Sequence, residues 1–326
     1  MALLRYALGR GVQMLVTLAV VVPLTFALFR AVPGDPSAAV VGPNLDPSVA
    51  AELRRRYGVD EPLAVQFLKF AGRLLQGDLG MSFQYKQPVG EILADRLVNT
   101  VLLVVPAIVL ALVIGTALGV LAGTSRHPLL VGVVRNAAFV AKASPIFWVA
   151  TLALLLFSYR LNLVPAIGMR TPGLAGDAEG LAAVFSTDFL HHLALPLVVM
   201  TVYFIPEPLL TMRTAMREVL HEDFIELGRA TGLSRLRIVY RHAARNALLP
   251  VVTLMPALTG VIIGGQVIVE TVFSWPGMGR AIVEAVNNFD YPMMQGVFLM
   301  TAVLAIVVNT VIDIAYAYLD PRVRLA

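Results

Sequence analysis

Four long stretches of the chain carry no charged residue: Gly11 to Phe29, Leu97 to Ser125, Asn246 to Val269 and Tyr291 to Ile312. Uncharged apolar runs of roughly 20 residues are long enough to cross a bilayer as helices. Two further runs are interrupted once each. Asn136 to Tyr159 contains Lys142, and Leu193 to Met212 contains Glu207. The pattern predicts an all-α polytopic membrane protein with six transmembrane helices. The first run is too long for a signal-peptide core, and Phe26-Ala27-Leu28-Phe29-Arg30 offers no small-x-small cleavage site, so it reads as a retained helix.

Basic residues in the short loops set the orientation. Seven arginines lie between Arg213 and Arg245, Arg126 and Arg135 follow the second span, and Arg322 and Arg324 end the chain. Arg5 and Arg10 put the N-terminus on the same side, so both termini are expected in the cytoplasm. The other side is sparser: Arg160 and Arg170 follow the third span, and Arg280 alone follows the fifth. The organisation expected is residues 1–30 for the N-terminus and first span, 31–96 for an external helical lid, and 97–326 for a core with spans two to six.

The lid reads as two helices. Asp46-Pro47 starts one that Gly58 stops, and Asp60-Glu61-Pro62 starts another that runs to Gln76 before Gly77. Leu63, Phe67, Phe70 and Leu74 share one face of the second helix. That face suits packing on the membrane domain, docking of an external partner, or both.

Composition agrees with the run lengths. Hydrophobic residues make up 58% of 326 and charged residues 14%, against about 25% charged in soluble domains. A soluble enzyme and a disordered chain are both excluded by that balance. The formal net charge of +4 follows from the loops and needs no nucleic acid. There is no Cys, hence no disulfide and no thiolate metal site. Neither a P-loop motif nor H-E-x-x-H is present. His191 and His192 are adjacent, so their side chains point about 100° apart on a helix, and with Asp188 they suit an interfacial polar cluster.

The segment 213–250 is too long and too amphipathic for a plain connector. Glu226 to Gly232 reads as a short helix with a glycine stop, and Ser234 caps a new helix leading to Pro250. A solvated basic turn and a docking element both fit that pattern.

Glu226, Gly232 and the downstream Leu249-Pro250 resemble the "EAA" loop of bacterial ABC importer membrane subunits. Leu227-Gly228 stand in place of the two alanines, and Pro250 lies about five residues later than the general pattern. The longer form, Arg241 to Pro250 (RHAARNALLP), is similar to the dipeptide/oligopeptide/nickel permease branch. So are Val32-Pro33-Gly34-Asp35-Pro36, Gly77-Asp78-Leu79-Gly80, Gln87-Pro88-Val89, Val269 to Gly279, Asp290-Tyr291-Pro292 and Leu319 to Arg324, in that order.

The resemblance implies the type I importer permease fold in a bacterial cytoplasmic membrane. The chain is then one of two homologous permease subunits, with separate ABC ATPase subunits, an extracytoplasmic substrate-binding protein, and peptide as the substrate class. Nickel or another small solute is the alternative within the family. Glu222, Asp223, Glu226, Gly228, Gly232, Leu233 and Ser234 form the expected ATPase-coupling loop. ATP and magnesium are expected on the partner, with no cofactor, metal or catalytic residue in this chain. From other classes, a stand-alone channel or secondary transporter would use the loop for regulation, and an intramembrane hydrolase would need Ser144 or Lys142.

Ionisable residues inside spans are costly and mark function or pairing. Lys142 lies seven residues past Arg135 and Glu207 six before Arg213, depths of about 10 and 9 Å from one membrane face. Matched depth predicts an ion pair between spans three and four or a jointly lined translocation path. Pro206 and Pro208 predict a kink beside Glu207. Trp275 and Tyr291 suit an external aromatic belt, Tyr316 and Tyr318 an internal one, and Glu270 and Asp313 structural carboxylates.

Overall fold

The structure, a computed structural model, describes residues 2–31, 61–173, 186–254 and 267–319, with side chains for 8–29, 61–173, 186–254 and 267–311. The first lid helix, Asp35, Arg322, Arg324, and the side chains of Arg5, Asp313, Tyr316 and Tyr318 lie outside the described residues. Among the described residues the fold is helical, with one isolated antiparallel bridge between Met81 and Pro88.

Two compact units alternate along the chain. The first comprises residues 1–100, 263–267 and 276–326, and the second 101–262 and 268–275.

In the first unit, α1 (Ala2–Ala31) packs along α12 (Tyr291–Leu319), with Phe29 and Phe298 centroids 5.4 Å apart. Leu8, Val12, Leu15, Val20 and Leu24 are 60–66% exposed on α1, an apolar surface suited to lipid contact. The second lid helix is α2 (Leu63–Leu75), closed where Gly77 takes φ +77°. Phe67 and Phe70 of the expected stripe pack on Phe26 of α1, at 5.4 and 5.7 Å, while Leu63 is exposed. The short amphipathic α11 (Met278–Asn287) completes the unit with α12.

Separated motifs meet in this unit. Asp290 is buried and accepts hydrogen bonds from Ser82 Oγ, the Gln84 amide and the Met293 amide. Glu284 accepts from Tyr85 Oη and Arg96 Nη2, at 2.9 and 3.1 Å, and from Arg280 Nε at 2.6 Å. Burial, then the bond to Glu284 and its charge, push the Tyr85 phenol above its ordinary range. Asp78 Oδ1 accepts from the Gly80 amide, whose carbonyl accepts from the Val89 amide.

One long helix, α3 (Val89–Thr124), begins in the first unit and continues in the second. The third predicted span is not one straight helix. It comprises α4 (Pro128–Ala143) and α5 (Ile146–Ala153, continuing as a π-helical turn to Arg160), bent by 101°. Pro145 has no amide hydrogen and forces Ser144 to extended angles, φ −76° and ψ 126°, so the helix stops there.

Helix α6 (Thr187–Phe204) and α7 (Pro206–Val219) form one candidate span, interrupted at Ile205 where Pro206 and Pro208 remove ladder donors. Four described helical segments are long and apolar enough to cross a membrane, and the bent pair makes up to five. The middle of the fifth expected span, 255–266, lies outside the described residues.

In the second unit α3 approaches α7 through glycines. Cβ atoms built on Gly115, Gly119 and Gly123 would stand 2.7, 2.6 and 2.8 Å from Pro208, Met212 and Met216 side-chain carbons. Glycines at four-residue spacing share one helix face and let two backbones meet closely. The aromatic-belt reading of Trp275 and Tyr291 is corrected. Trp275 is fully buried against Phe189 (5.8 Å), and Tyr291 is buried in the first unit.

Gly119→Ala forces a carbon against Met212 and the Leu209 carbonyl oxygen, 2.7 Å away. Overpacking of this kind destabilises by about 1–3 kcal/mol. Thermal unfolding in detergent should show a lowered midpoint for Gly119→Ala. Gly132→Ala, whose Cβ meets nothing within 4 Å inside α4, should hold or slightly raise the midpoint.

Candidate functional site

The loop singled out by its glycine stop is built on a buried anchor. After α7, Glu222 is the N-cap of α8 (Asp223–Ala230), and Asp223 and Glu226 place carboxylates in its first turn. Negative charge there complements the helix dipole, as Arg229 does in the last turn. Ile225 is 1% exposed and packs with Met212, Met216, Ile238 and Val239. Glu222, Asp223 and Glu226 are exposed, and so are Phe224 (42%) and Leu227 (66%). The helix therefore holds one residue inside and displays a mixed acidic and apolar face outside.

Its end is a Schellman turn. The Gly232 amide bonds to the Arg229 carbonyl (3.0 Å) and the Leu233 amide to the Gly228 carbonyl (3.1 Å). Gly232 takes φ +79°, a left-handed angle that glycine adopts without steric penalty. A Cβ on Gly228 would meet Leu233 Cδ1 at 3.5 Å, the apolar contact that accompanies this turn. The Ser234 carbonyl then accepts from the Ile238 amide, opening the next helix at the expected residue. That helix runs through a π-helical stretch, Arg237–Ala243, into α9 (Ala244–Val252). Leu236 and Tyr240 are exposed on it, while Ile238, Val239 and Ala243 are buried.

The second predicted feature is an ion pair. Lys142 Nζ lies 2.7 Å from Glu207 Oε2, and the two side chains are 55% and 51% exposed within this chain. Each charge sits close to a proline. Lys142 is in the last turn of α4, just before Pro145, and Glu207 is in the first turn of α7, just after Ile205. A cation at a helix C-terminus complements the local dipole, whereas Glu207 lies where α6 runs on into α7, Ile205 keeping helical bonds to Thr201 and Leu209. Ser144 Oγ donates to the Val140 carbonyl at 2.7 Å, a local helix bond that leaves no hydroxyl–lysine dyad.

At the end of α6, Asp188 accepts from the Thr171 amide and hydroxyl, and the Asp188 carbonyl meets His192 Nδ1 at 2.9 Å. His191 Nε2 instead meets the Leu163 carbonyl at 2.8 Å, so the two imidazoles face different partners. Glu270, in α10 (Val267–Val272), is buried, and its backbone carbonyl accepts from the Trp275 amide. Sequence reasoning missed Phe224 and Leu227. Two apolar residues three apart in a short acidic helix were the available signal.

Comparison with known proteins gives the setting for these features. Residues 115–325 match the binding-protein-dependent transport system inner membrane component family, and residues 3–104 match its N-terminal companion. A putative peptide permease protein of Brucella suis is 38% identical, covering 99% of this chain and 100% of that protein. The di/tripeptide transport system permease protein DppB of Pseudomonas aeruginosa is 36% identical, over 92% and 93%. The dipeptide transport system permease protein DppB of Escherichia coli K12 is 34% identical, over 92% and 93%. The glycine-stopped loop and the membrane-length helices thus sit in a chain matched end to end by permeases, and it belongs to the family of inner membrane components of binding-protein-dependent transport systems.

Proposed function

We propose that this chain is the permease subunit of an ATP-driven peptide importer, with six spans and both termini in the cytoplasm. The full-length relatives named as peptide permeases support peptide as the substrate class. A homologous second permease subunit completes the path, and an extracytoplasmic binding protein delivers the peptide. ATP and magnesium bind partner ATPase subunits.

The observation that carries the coupling role is the display of α8. Ile225 fixes the helix to the second unit's core, while Phe224, Glu226 and Leu227 stay exposed for a partner. Gly232 sets the angle at which the following helix leaves, through its left-handed backbone. ATP-driven closure of the ATPases moves α8, and Ile225 carries the displacement to α7 and its neighbours. The exposure of the Lys142–Glu207 pair supports a position on the translocation path. A charge facing lipid is costly, whereas water or a partner subunit satisfies it. A path bearing both signs suits a substrate with an ammonium and a carboxylate.

Two results check this reading. Leu227→Ala removes an interface side chain worth about 1 kcal/mol, and Gly232→Ala adds left-handed strain of about 1–2 kcal/mol. Each should lower uptake of a labelled dipeptide about fivefold or more with the membrane level of the chain unchanged. Unchanged uptake in both variants contradicts the coupling role.

Single reversals Lys142→Glu and Glu207→Lys put like charges within contact distance and should each abolish most uptake. The double reversal should recover a substantial part of it. Independent, additive losses in the double variant would show that the two charges act separately.

A further inference from the structure

A second feature of the same loop region is a cleft of about 370 Å³ lined by three arginines, Arg126, Arg229 and Arg235. No lining residue is acidic. Arg235 Nη2 donates to the Thr124 carbonyl at 2.8 Å, which holds that guanidinium at the C-terminal end of α3. The guanidinium groups of Arg126 and Arg229 have no hydrogen bond or ion pair among the described residues, and both residues are exposed. Three guanidiniums around one cleft repel one another and attract an anion. Their planar donors match phosphate oxygens in paired hydrogen bonds.

The rest of the lining decides what kind of anion fits. Leu220, Leu233, Ile238 and Val239 supply an apolar floor, which a small hydrated ion gains nothing by covering. The cleft also lies at a defined level. Thr124 is the last residue of one membrane-length helix, and Leu220 follows Val219, the last residue of another. The uncharged run Leu97–Ser125 ends at Arg126, so the Arg126 side of the cleft stands at the membrane face, within reach of lipid headgroups. Basic pockets in that position bind anionic lipid headgroups.

We propose that this cleft is a binding site for the phosphate of an anionic phospholipid, with the adjoining glycerol and first acyl carbons resting on the apolar floor. Arg126 follows α3, Arg229 ends α8, and Arg235 begins the helix after the Schellman turn. A bound headgroup therefore ties both sides of the turn to the end of α3. The binding itself requires only the membrane level of the cleft, not the coupling role proposed for α8.

The test uses the full chain in non-ionic detergent, with fluorescent short-chain phosphatidylglycerol and phosphatidylcholine of equal acyl length as probes. Phosphatidylglycerol should bind at least tenfold more tightly than phosphatidylcholine. Each basic residue near a membrane surface contributes about fivefold in affinity for anionic lipid. Arg126→Gln with Arg229→Gln should weaken phosphatidylglycerol roughly 25-fold and phosphatidylcholine, whose choline cation offsets its phosphate, far less. The Arg126→Lys, Arg229→Lys variant should retain most of the preference, and circular dichroism of all three chains should match.

Equal binding of the two lipids overturns the proposal. If millimolar inorganic phosphate displaces phosphatidylglycerol completely and binds as tightly itself, the cleft is a free-anion site and the lipid assignment fails. If lipid binding disappears when the ATPase subunits are added, an acidic segment of that partner occupies the cleft, which also overturns it.

Discussion

The close approach of α3 to α7 at Gly115, Gly119 and Gly123 is the constraint on which the second unit depends. Lipid gives two apolar helices little hydrophobic reason to associate, so their attraction comes from packing at short range. Three glycines in register remove the side chains that would hold the backbones apart, and Pro208, Met212 and Met216 fill the space. The position of α7 follows from that seam. Met212 and Met216 share one buried cluster with Ile225, Ile238 and Val239, so the seam and the loop have a common core. The one buried residue of α8, Ile225, belongs to the same buried cluster as Met212 and Met216 of the seam.

The two membrane charges are arranged by the same economy. Pro145 ends α4, whereas Pro206 and Pro208 only remove amide donors from a helix that continues from α6 into α7. Lys142, at the end of α4, and Glu207, between the two prolines, meet each other at 2.7 Å. One contact thereby pairs two charges while leaving half of each side chain exposed. The path reading rests on that remaining exposure, and a closed, fully buried pair would have argued for structure alone.

Much of this was legible along the chain. Uncharged runs located α1, α3 and α12 because a bilayer dictates their length, and matched depths brought Lys142 and Glu207 together. Gly232 announced its turn because the left-handed backbone angle favours glycine. The 101° bend at Ser144–Pro145 was not legible from run length, which counts apolar residues and ignores the missing amide. Trp275 and Tyr291 were misplaced because position near a span end predicts an interface belt, and tertiary burial overrode it. The glycine seam was overlooked for a similar reason. Hydropathy treats glycine as neutral filler, whereas its four-residue spacing carried the packing.

The family motifs also changed meaning in three dimensions. Asp78–Gly80, Pro88–Val89 and Asp290–Pro292 are far apart in sequence yet bond within one unit, with buried Asp290 holding Ser82 and Gln84. They read as recognition signatures but serve as scaffold, while α8 displays exposed residues.

The central claim is that α8 presents Phe224, Glu226 and Leu227 to a partner ATPase while Ile225 stays inside. Because the chain has no cysteine, one introduced thiol is unique within it. Leu227→Cys and Ile225→Cys should be compared for cross-linking to the ATPase subunits in native membranes with a short thiol–amine reagent. The account predicts a strong cross-link from position 227 that changes with ATP, and little or none from position 225. A cross-link from 225 equal to that from 227, or none from 227, would contradict it.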